Sequence, residues 1–348
     1  MKKPLILLIL HFLVGAAGLY GEHFVSFIIP CYNCENTVEE SIASIYEQQL
    51  ALPFEVICTN DGSTDGTAAV LSRCEKKYHH FFVYSHERNR GGGAARNTCV
   101  QHSQGDLIFC LDSDNVLAPH SIQPLIDLMD QTQADVVAFE ELRLFRDEKE
   151  ATGRYILSGI DHFYDLTNWL AAPCSDPSMG GNYLYTRKSY DRAGGYWEDL
   201  SAVDTHSFGF KLLATGSVIR VLPGSFYWHR LDDNSYYIRE NRKNTNNANL
   251  VKALYRISEI FSEETRQEFL EDIDPETVYH IFYDQQPNQF ELAESKILQS
   301  LFRGYRFRQE KNYKRAAFEF GAAISEGCQS EKIQQLFLDM LNLIKGAL

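Results

Sequence analysis

The apolar positions of this chain fall into two alternating rhythms. Short apolar runs over 25–29, 54–58, 81–84 and 107–111 predict strands, the first ended by Pro30. Between them the apolar residues recur at helical spacing. Val38, Ile42, Ile45 and Tyr46 place a helix over 37–49, and Val70, Leu71 and Cys74 place one over 65–77. A third helix is expected over 94–102. Pro119 suits the first position of a fourth, running to Gln131, and a long strand over 134–144 follows. Strand, helix, strand at this spacing predicts an α/β domain, a mostly parallel sheet with helices on both faces. In such sheets ligands bind beyond the carboxyl ends of the strands.

The rhythm changes further on. Residues 155–223 are mixed, punctuated by Gly180-Gly181 and Gly194-Gly195, with a strand expected over 218–222. The Asn-rich stretch 241–249 reads as a linker, and the remainder as helical, with helix starts at Ser262 and at Asp274-Pro275-Glu276. Gly304, Phe307, Ala316, Phe320 and Ala323 match tetratricopeptide spacing, within a hairpin expected at about 298–326. A single such unit needs neighbours to bury its faces. It is expected to pack on the domain before it, with a surface for a protein partner as the other reading. The amino terminus opens Met1-Lys2-Lys3, and 5–19 is almost wholly apolar, with small residues at Ala16-Ala17-Gly18. That is the pattern of a secretory signal, with a signal anchor as the runner-up. The expected division is 1–21 as leader, 22–240 as the α/β domain and 241–348 as a helical C-terminal region. With a real leader the protein is membrane-associated or exported; with a mis-assigned start codon it is cytoplasmic.

Composition narrows the partners. The 348 residues are 44% hydrophobic and 23% charged, ordinary for a globular protein. A net charge of −14 argues against a nucleic-acid polymer, which needs a basic surface. A small anion held by a metal and a few arginines remains compatible. Cys31 and Cys34 form a Cys-x-x-Cys, but no second ligand pair accompanies it, which disfavours zinc and thiol-redox readings.

The residues that carry chemistry stand at the expected strand ends. Pro30-Cys-Tyr-Asn33 follows the first strand, 59–65 the second, Arg88-Asn-Arg-Gly91 the third and Asp112-Ser-Asp114 the fourth. Two carboxylates two positions apart can lean toward one divalent cation, and hard oxygen ligands suit Mg²⁺ or Mn²⁺. The same residues also make an ordinary turn. Four polar loops on one rim favour a site. Asp61 can accept from a base imino group or a ribose hydroxyl.

These loops, "SFIIPCYN", "VICTNDGSTDGT", "NRGGGAARN" and "CLDSDN", resemble those of family 2 glycosyltransferases of the GT-A fold, over residues 25–230. The resemblance implies an inverting, metal-dependent transfer of sugar from a nucleotide-diphosphate sugar, of the UDP class, to the hydroxyl of a glycan, lipid or protein acceptor. It implies a donor site built from Pro30, Tyr32, Asn33, Glu35, Asp61, Arg96, Asn97 and Asp112. Asp114 of this DXD motif would bind Mn²⁺ or Mg²⁺, and His229 is the further metal candidate; a packed core histidine is its other reading. The family's base comes from a Glu-Asp pair before an amphipathic helix, where this chain has Asp204-Thr205. That departure leaves Asp204 as the base candidate, with Glu198 and Asp199 as rivals. It also keeps open a catalytically inactive protein that binds nucleotide sugar or a partner.

Overall fold

A computed structural model describes residues 23–146, 150–156, 163–164, 179–232, 310–328 and 331–346, with scattered positions between 238 and 308. The leader, the stretch 241–248, Cys174 and the helix starts at Ser262 and Asp274 lie outside the described residues.

Strands β1 (Val25–Cys31), β2 (Phe54–Asn60), β3 (Phe81–Ser85) and β4 (Leu107–Cys110) run parallel, in the spatial order β3-β2-β1-β4. Helices α1 (Val38–Tyr46), α2 (Thr67–Lys77) and α3 (Gly92–His102) connect them. β1 and β4 are buried along nearly their whole length. This is why their sequences read as unbroken apolar runs rather than alternations. A row of rings crosses the core, Phe27 to Phe109 at 5.7 Å, Phe109 to Phe139 at 6.1 Å and Phe139 to Tyr227 at 5.5 Å.

Three expectations need correction. First, Pro30 does not end β1. Ile28 accepts from Leu111 on the β4 side, and Cys31 accepts from Asp61 on the β2 side. By alternation Pro30 faces past the end of β4, where a missing N–H breaks no ladder bond. Second, Pro119 does not open a helix. α4 runs Ile122–Thr132, and the buried Gln48 sets its start: Gln48 Oε1 accepts from Ser121 N at 2.9 Å and Ile122 N at 3.2 Å. The short strand β5 (Val116–Leu117) precedes it.

The sheet is mostly parallel, as expected, with antiparallel members. β6 (Val136–Phe145) does not lie beside β4, because β9 (Tyr183–Thr186) inserts antiparallel between them. β7 (Gly153–Ile156) and β8 (Phe163–Tyr164) add short antiparallel edges. Third, the strand expected over 218–222 is the first part of β10 (Ile219–Arg230), parallel to β6. Pro223-Gly224 makes a bulge in it, where the register shifts between Leu222 and Phe226 and Glu140 accepts from Gly224 N at 2.6 Å. His229 therefore lies within a strand, not after one.

Two helices complete the domain's described part: α5 (Arg187–Ala193) and α6 (Asp204–Ala214). At the C-terminal end α7 (Tyr313–Ser325) packs on α8 (Glu331–Gly346). Their shared core includes Leu301, Ala316, Phe320 and Met340, with Phe307 against it. A Cβ on Gly304 would stand 2.6 Å from the Phe320 ring, so the glycine marks a close approach. Among the described residues no helix is long and apolar enough to cross a membrane.

Candidate functional site

The four strand-end loops meet at one rim, and their side chains interlock. Asp61, just past β2, is almost fully buried. Its Oδ1 accepts from Arg90 N at 2.9 Å and lies 2.6 Å from His86 Nδ1, and its Oδ2 accepts from Gly91 N at 2.8 Å. One carboxylate thus fastens the loop after β3 to the end of β2. Gly62 makes the turn beyond it at φ +67°, with its α-carbon against the Arg88–Asn89 backbone.

Arg96 is the centre of the second network. It sits in α3, is 7% exposed, and its guanidinium bridges two carboxylates. Nη2 is 2.5 Å from Asp112 Oδ1, and Nη1 is paired with Asp204 Oδ2. Nε donates to Cys110 Sγ at 3.3 Å. Asp204 opens α6, where the helix N-terminus favours a negative charge, and its Oδ1 accepts from Thr205 N at 3.0 Å. Burial raises the Asp204 carboxyl above its ordinary value; Arg96 opposes that shift and Asp112 adds to it. Asn182 holds Asp112 from the far side, accepting from Asp112 N at 2.7 Å and donating to Asp112 Oδ2 at 3.3 Å.

Asp114 and His229 both feel the charge of Asp112. Arg230, at the end of β10, donates from its backbone to Asn115 Oδ1 at 3.0 Å and from Nε to the Asp114 carbonyl at 3.1 Å. Its guanidinium also pairs with Glu40. Burial, and next the Asp112 charge, push the Asp114 carboxyl up to about 7. His229 is held below its usual value by burial, which favours the neutral imidazole that ligates metals. Its Nδ1 is buried without a hydrogen-bond partner among the described residues. Those residues contain no group of three or more side chains that could hold a metal. Mg²⁺ and Mn²⁺ sites that share substrate phosphates need only one or two protein ligands. An unpartnered imidazole nitrogen and a carboxylate that resists ionisation, both close enough to feel the Asp112 charge, fit such a cation, which would relieve both.

The other sequence candidates have separate tasks. Tyr32 stands at the rim, 37% exposed, where a ring can stack on a base. Asn33 Oδ1 accepts from Thr64 N at 2.8 Å, and Glu35 Oε2 accepts from Gly66 N at 2.7 Å, just before α2. Both tie the first loop to the second. Asn97 is saturated by Tyr190, Tyr196 and Glu198, and anchors the segment before α6. Pro30 contributes the backbone course described above. Of the rival bases, Glu198 pairs with Arg90 at 2.9 Å and Asp199 is gripped by both guanidinium nitrogens of Arg256 at 2.8 and 2.7 Å. Cys31 and Cys34 are buried free thiols. Burial raises Cys31, and its hydrogen bond to Cys31 and burial raise Cys34, so neither favours the reactive thiolate. Sequence reasoning did not single out His86, Asn182 or the Arg230 side chain. Their partners lie 25, 70 and 116 positions away, beyond the reach of any local pattern.

Residues 26–192 match the model of glycosyl transferase family 2. The poly(ribitol-phosphate) beta-glucosyltransferase of Bacillus spizizenii is 31% identical over 114 residues, which are 32% of this chain and 18% of that protein. The matches span between 15% and 62% of the length of the curated relatives. Among solved structures, S. aureus TarS (residues 1–349) in complex with UDP-GlcNAc has a TM-score of 0.58 at 17% identity, covering 90% of this chain and 83% of that one. Mannosyltransferase PcManGT from Pyrobaculum calidifontis, in complex with GDP-Man and Mn²⁺, has a TM-score of 0.51 at 17% identity, covering 88% of each. At such identities the likeness is one of fold, and the shared fold is GT-A.

Proposed function

We propose, on the premise that this chain carries a family 2 glycosyltransferase domain, that it transfers a sugar from a UDP-sugar to an acceptor hydroxyl with inversion at the anomeric carbon. One observation carries the reading: Arg96 joins Asp112 of the donor loop to Asp204 at the start of α6. A donor carboxylate and a candidate base are thereby held at a set separation. The donor end is the Asp61 rim with Tyr32 at its edge. Asp114 and His229 would hold Mn²⁺ or Mg²⁺, whose chemistry there is to neutralise charge growing on the departing diphosphate.

Asp204 takes the acceptor proton. Its Oδ2 remains on Arg96, and the hydroxyl approaches Oδ1, which carries only the Thr205 N–H bond. A carboxyl raised by burial is a stronger base once ionised. Asn182 and Arg96 keep Asp112 from turning away as the donor enters. Glu198 and Asp199 are left out because their side chains are half exposed, paired with Arg90 and Arg256, and neither joins the Arg96 bridge to Asp112. The acceptor is a glycan, lipid or protein hydroxyl. The apolar stretch at 5–19 supports action at a membrane or after export, and the helical tail supports a protein partner.

The test is turnover of UDP-sugars with and without Mn²⁺. Asp204→Asn should lower kcat by roughly 10²–10⁴-fold, the range of a lost general base, with UDP affinity nearly unchanged. Wild-type kcat in that variant, or no metal-dependent turnover of any nucleotide sugar, overturns the proposal.

A further inference from the structure

We infer that His86, backed by Thr98, is the positioning residue that orients Asp61 to read an N–H on the base of the donor nucleotide. The inference rests on the donor reading above and adds the device that makes Asp61 selective. His86 follows β3 directly, and its backbone N–H donates to Asn60 O at 2.9 Å, so the ring is fixed beside the end of β2. The His86 and Asp61 side chains are 7% and 3% exposed. Nδ1 lies 2.6 Å from Asp61 Oδ1, and Nε2 lies 2.9 Å from Thr98 Oγ1. A carboxylate only accepts, so Nδ1 is the donor; Nε2 can then accept the Thr98 hydroxyl proton. Both ring nitrogens thus have a protein partner.

The consequence is an unequal loading of the two Asp61 oxygens. Oδ1 accepts from His86 and from Arg90 N, which fills its two lone-pair directions. Oδ2 accepts from Gly91 N alone and has capacity for one more donor. A base reaching Asp61 must therefore bring an N–H to Oδ2. Uracil has one at N3, whereas cytosine has an acceptor at that position. Loss of the Nδ1–H bond would let the carboxylate turn about its last torsion, so Oδ2 would no longer be fixed where the base N–H arrives and discrimination between bases would fall. Thr98 lies two positions from Arg96 in α3, so one helix steadies both networks. Arg96 governs the reacting end of the donor and His86 the base.

Titration of UDP and of CDP into the full chain tests this, with His86→Gln, His86→Asn, Thr98→Val and Asp61→Asn beside wild type. Asparagine places its amide N–H near the Nδ1 position, whereas glutamine places it near Nε2. His86→Gln should weaken UDP by about 10-fold, as for one hydrogen bond to a charged group, and shrink the preference for UDP over CDP. His86→Asn should restore most of both, and Thr98→Val should lose a few-fold while its Tm stays near wild type. In turnover the effect should appear in KM and leave kcat nearly intact. If His86→Gln keeps wild-type affinity and preference while Asp61→Asn loses them, the role of His86 is overturned and the donor reading stands. If Asp61→Asn also leaves UDP binding unchanged, base reading by Asp61 falls as well. Equal losses in His86→Gln and His86→Asn, each with a lowered Tm, would mark His86 as a packing residue and overturn the inference.

Discussion

Replacing Arg96 with methionine keeps an apolar stem and removes the guanidinium that serves two carboxylates. The magnitude follows from burial. Arg96 and Asp204 are each 7% exposed, so the variant leaves Asp204 as a buried carboxylate without its cation. Breaking such a pair by removing one partner costs about 3–5 kcal/mol. Asp112 is 26% exposed, so water offsets most of its loss, which adds less than about 1 kcal/mol. For a domain of this size the total lowers Tm by roughly 6–24 °C. The loss also has a pH signature. Burial holds the Asp204 carboxyl above its ordinary value of 3.8, so the folded state binds that proton more tightly than the unfolded chain does. Stability contributed by the protonated form is complete below the unfolded value and declines as pH rises through the folded one. Without Arg96 the folded value rises further, so the decline reaches higher pH. Urea unfolding followed by tryptophan fluorescence, at about pH 5 and about pH 8, should show the larger loss at the higher pH. Arg96→Lys, with one compact charge for two partners, should fall between. An equal loss at both pH values, or a loss below about 1 kcal/mol, would refute the buried bridge.

Asp114→Asn should stabilise the metal-free protein at about pH 8, and the gain should fade as pH drops through the value near 7 toward 3.8. The shift sets a ceiling of about 4 kcal/mol, and water at a half-buried carboxyl reduces the expected gain to about 1–2 kcal/mol. Stabilisation by added Mn²⁺ and UDP should vanish in the same variant, by thermal melting. Gly62→Ala places a methyl 2.5 Å from the Arg88 backbone at φ +67°, so it should cost more than about 2 kcal/mol and weaken UDP binding through the displaced loop. Phe320→Ala should destabilise the C-terminal helices by about 3–5 kcal/mol while leaving UDP affinity unchanged. A matching loss of affinity would show that the tail and the donor rim unfold together.

What was legible in the chain follows from how far each signal reaches. β1 and β4 were readable because burial on both faces leaves unbroken apolar runs, and the four strand-end loops were readable because each is a local string. Pro30 and Pro119 were misjudged, and the bulge at Pro223 was not seen, for one shared reason. Whether a proline ends an element depends on what its missing N–H would have met, and that partner is remote. Pro30 faces past the end of β4, Pro223 sits in a bulge held by Glu140, and Gln48 sets the start of α4 from 73 positions away. The insertion of β9 between β4 and β6 is likewise a pairing between distant segments. The site divides along the same line. Asp61, Asp112 and Asp114 belong to short motifs, but each also has a partner that no motif contains. His86 loads one oxygen of Asp61, Asn182 fixes Asp112, and the Arg230 side chain ties β10 to the Asp114 carbonyl. Asn33, Glu35 and Asn97 show the converse. They occupy motif positions, yet their side chains are spent joining loops. Removing one of them should loosen the rim as a whole, whereas removing the His86 ring should alter one interaction at Asp61. The split between general loosening and selective loss separates scaffold from chemistry at this site.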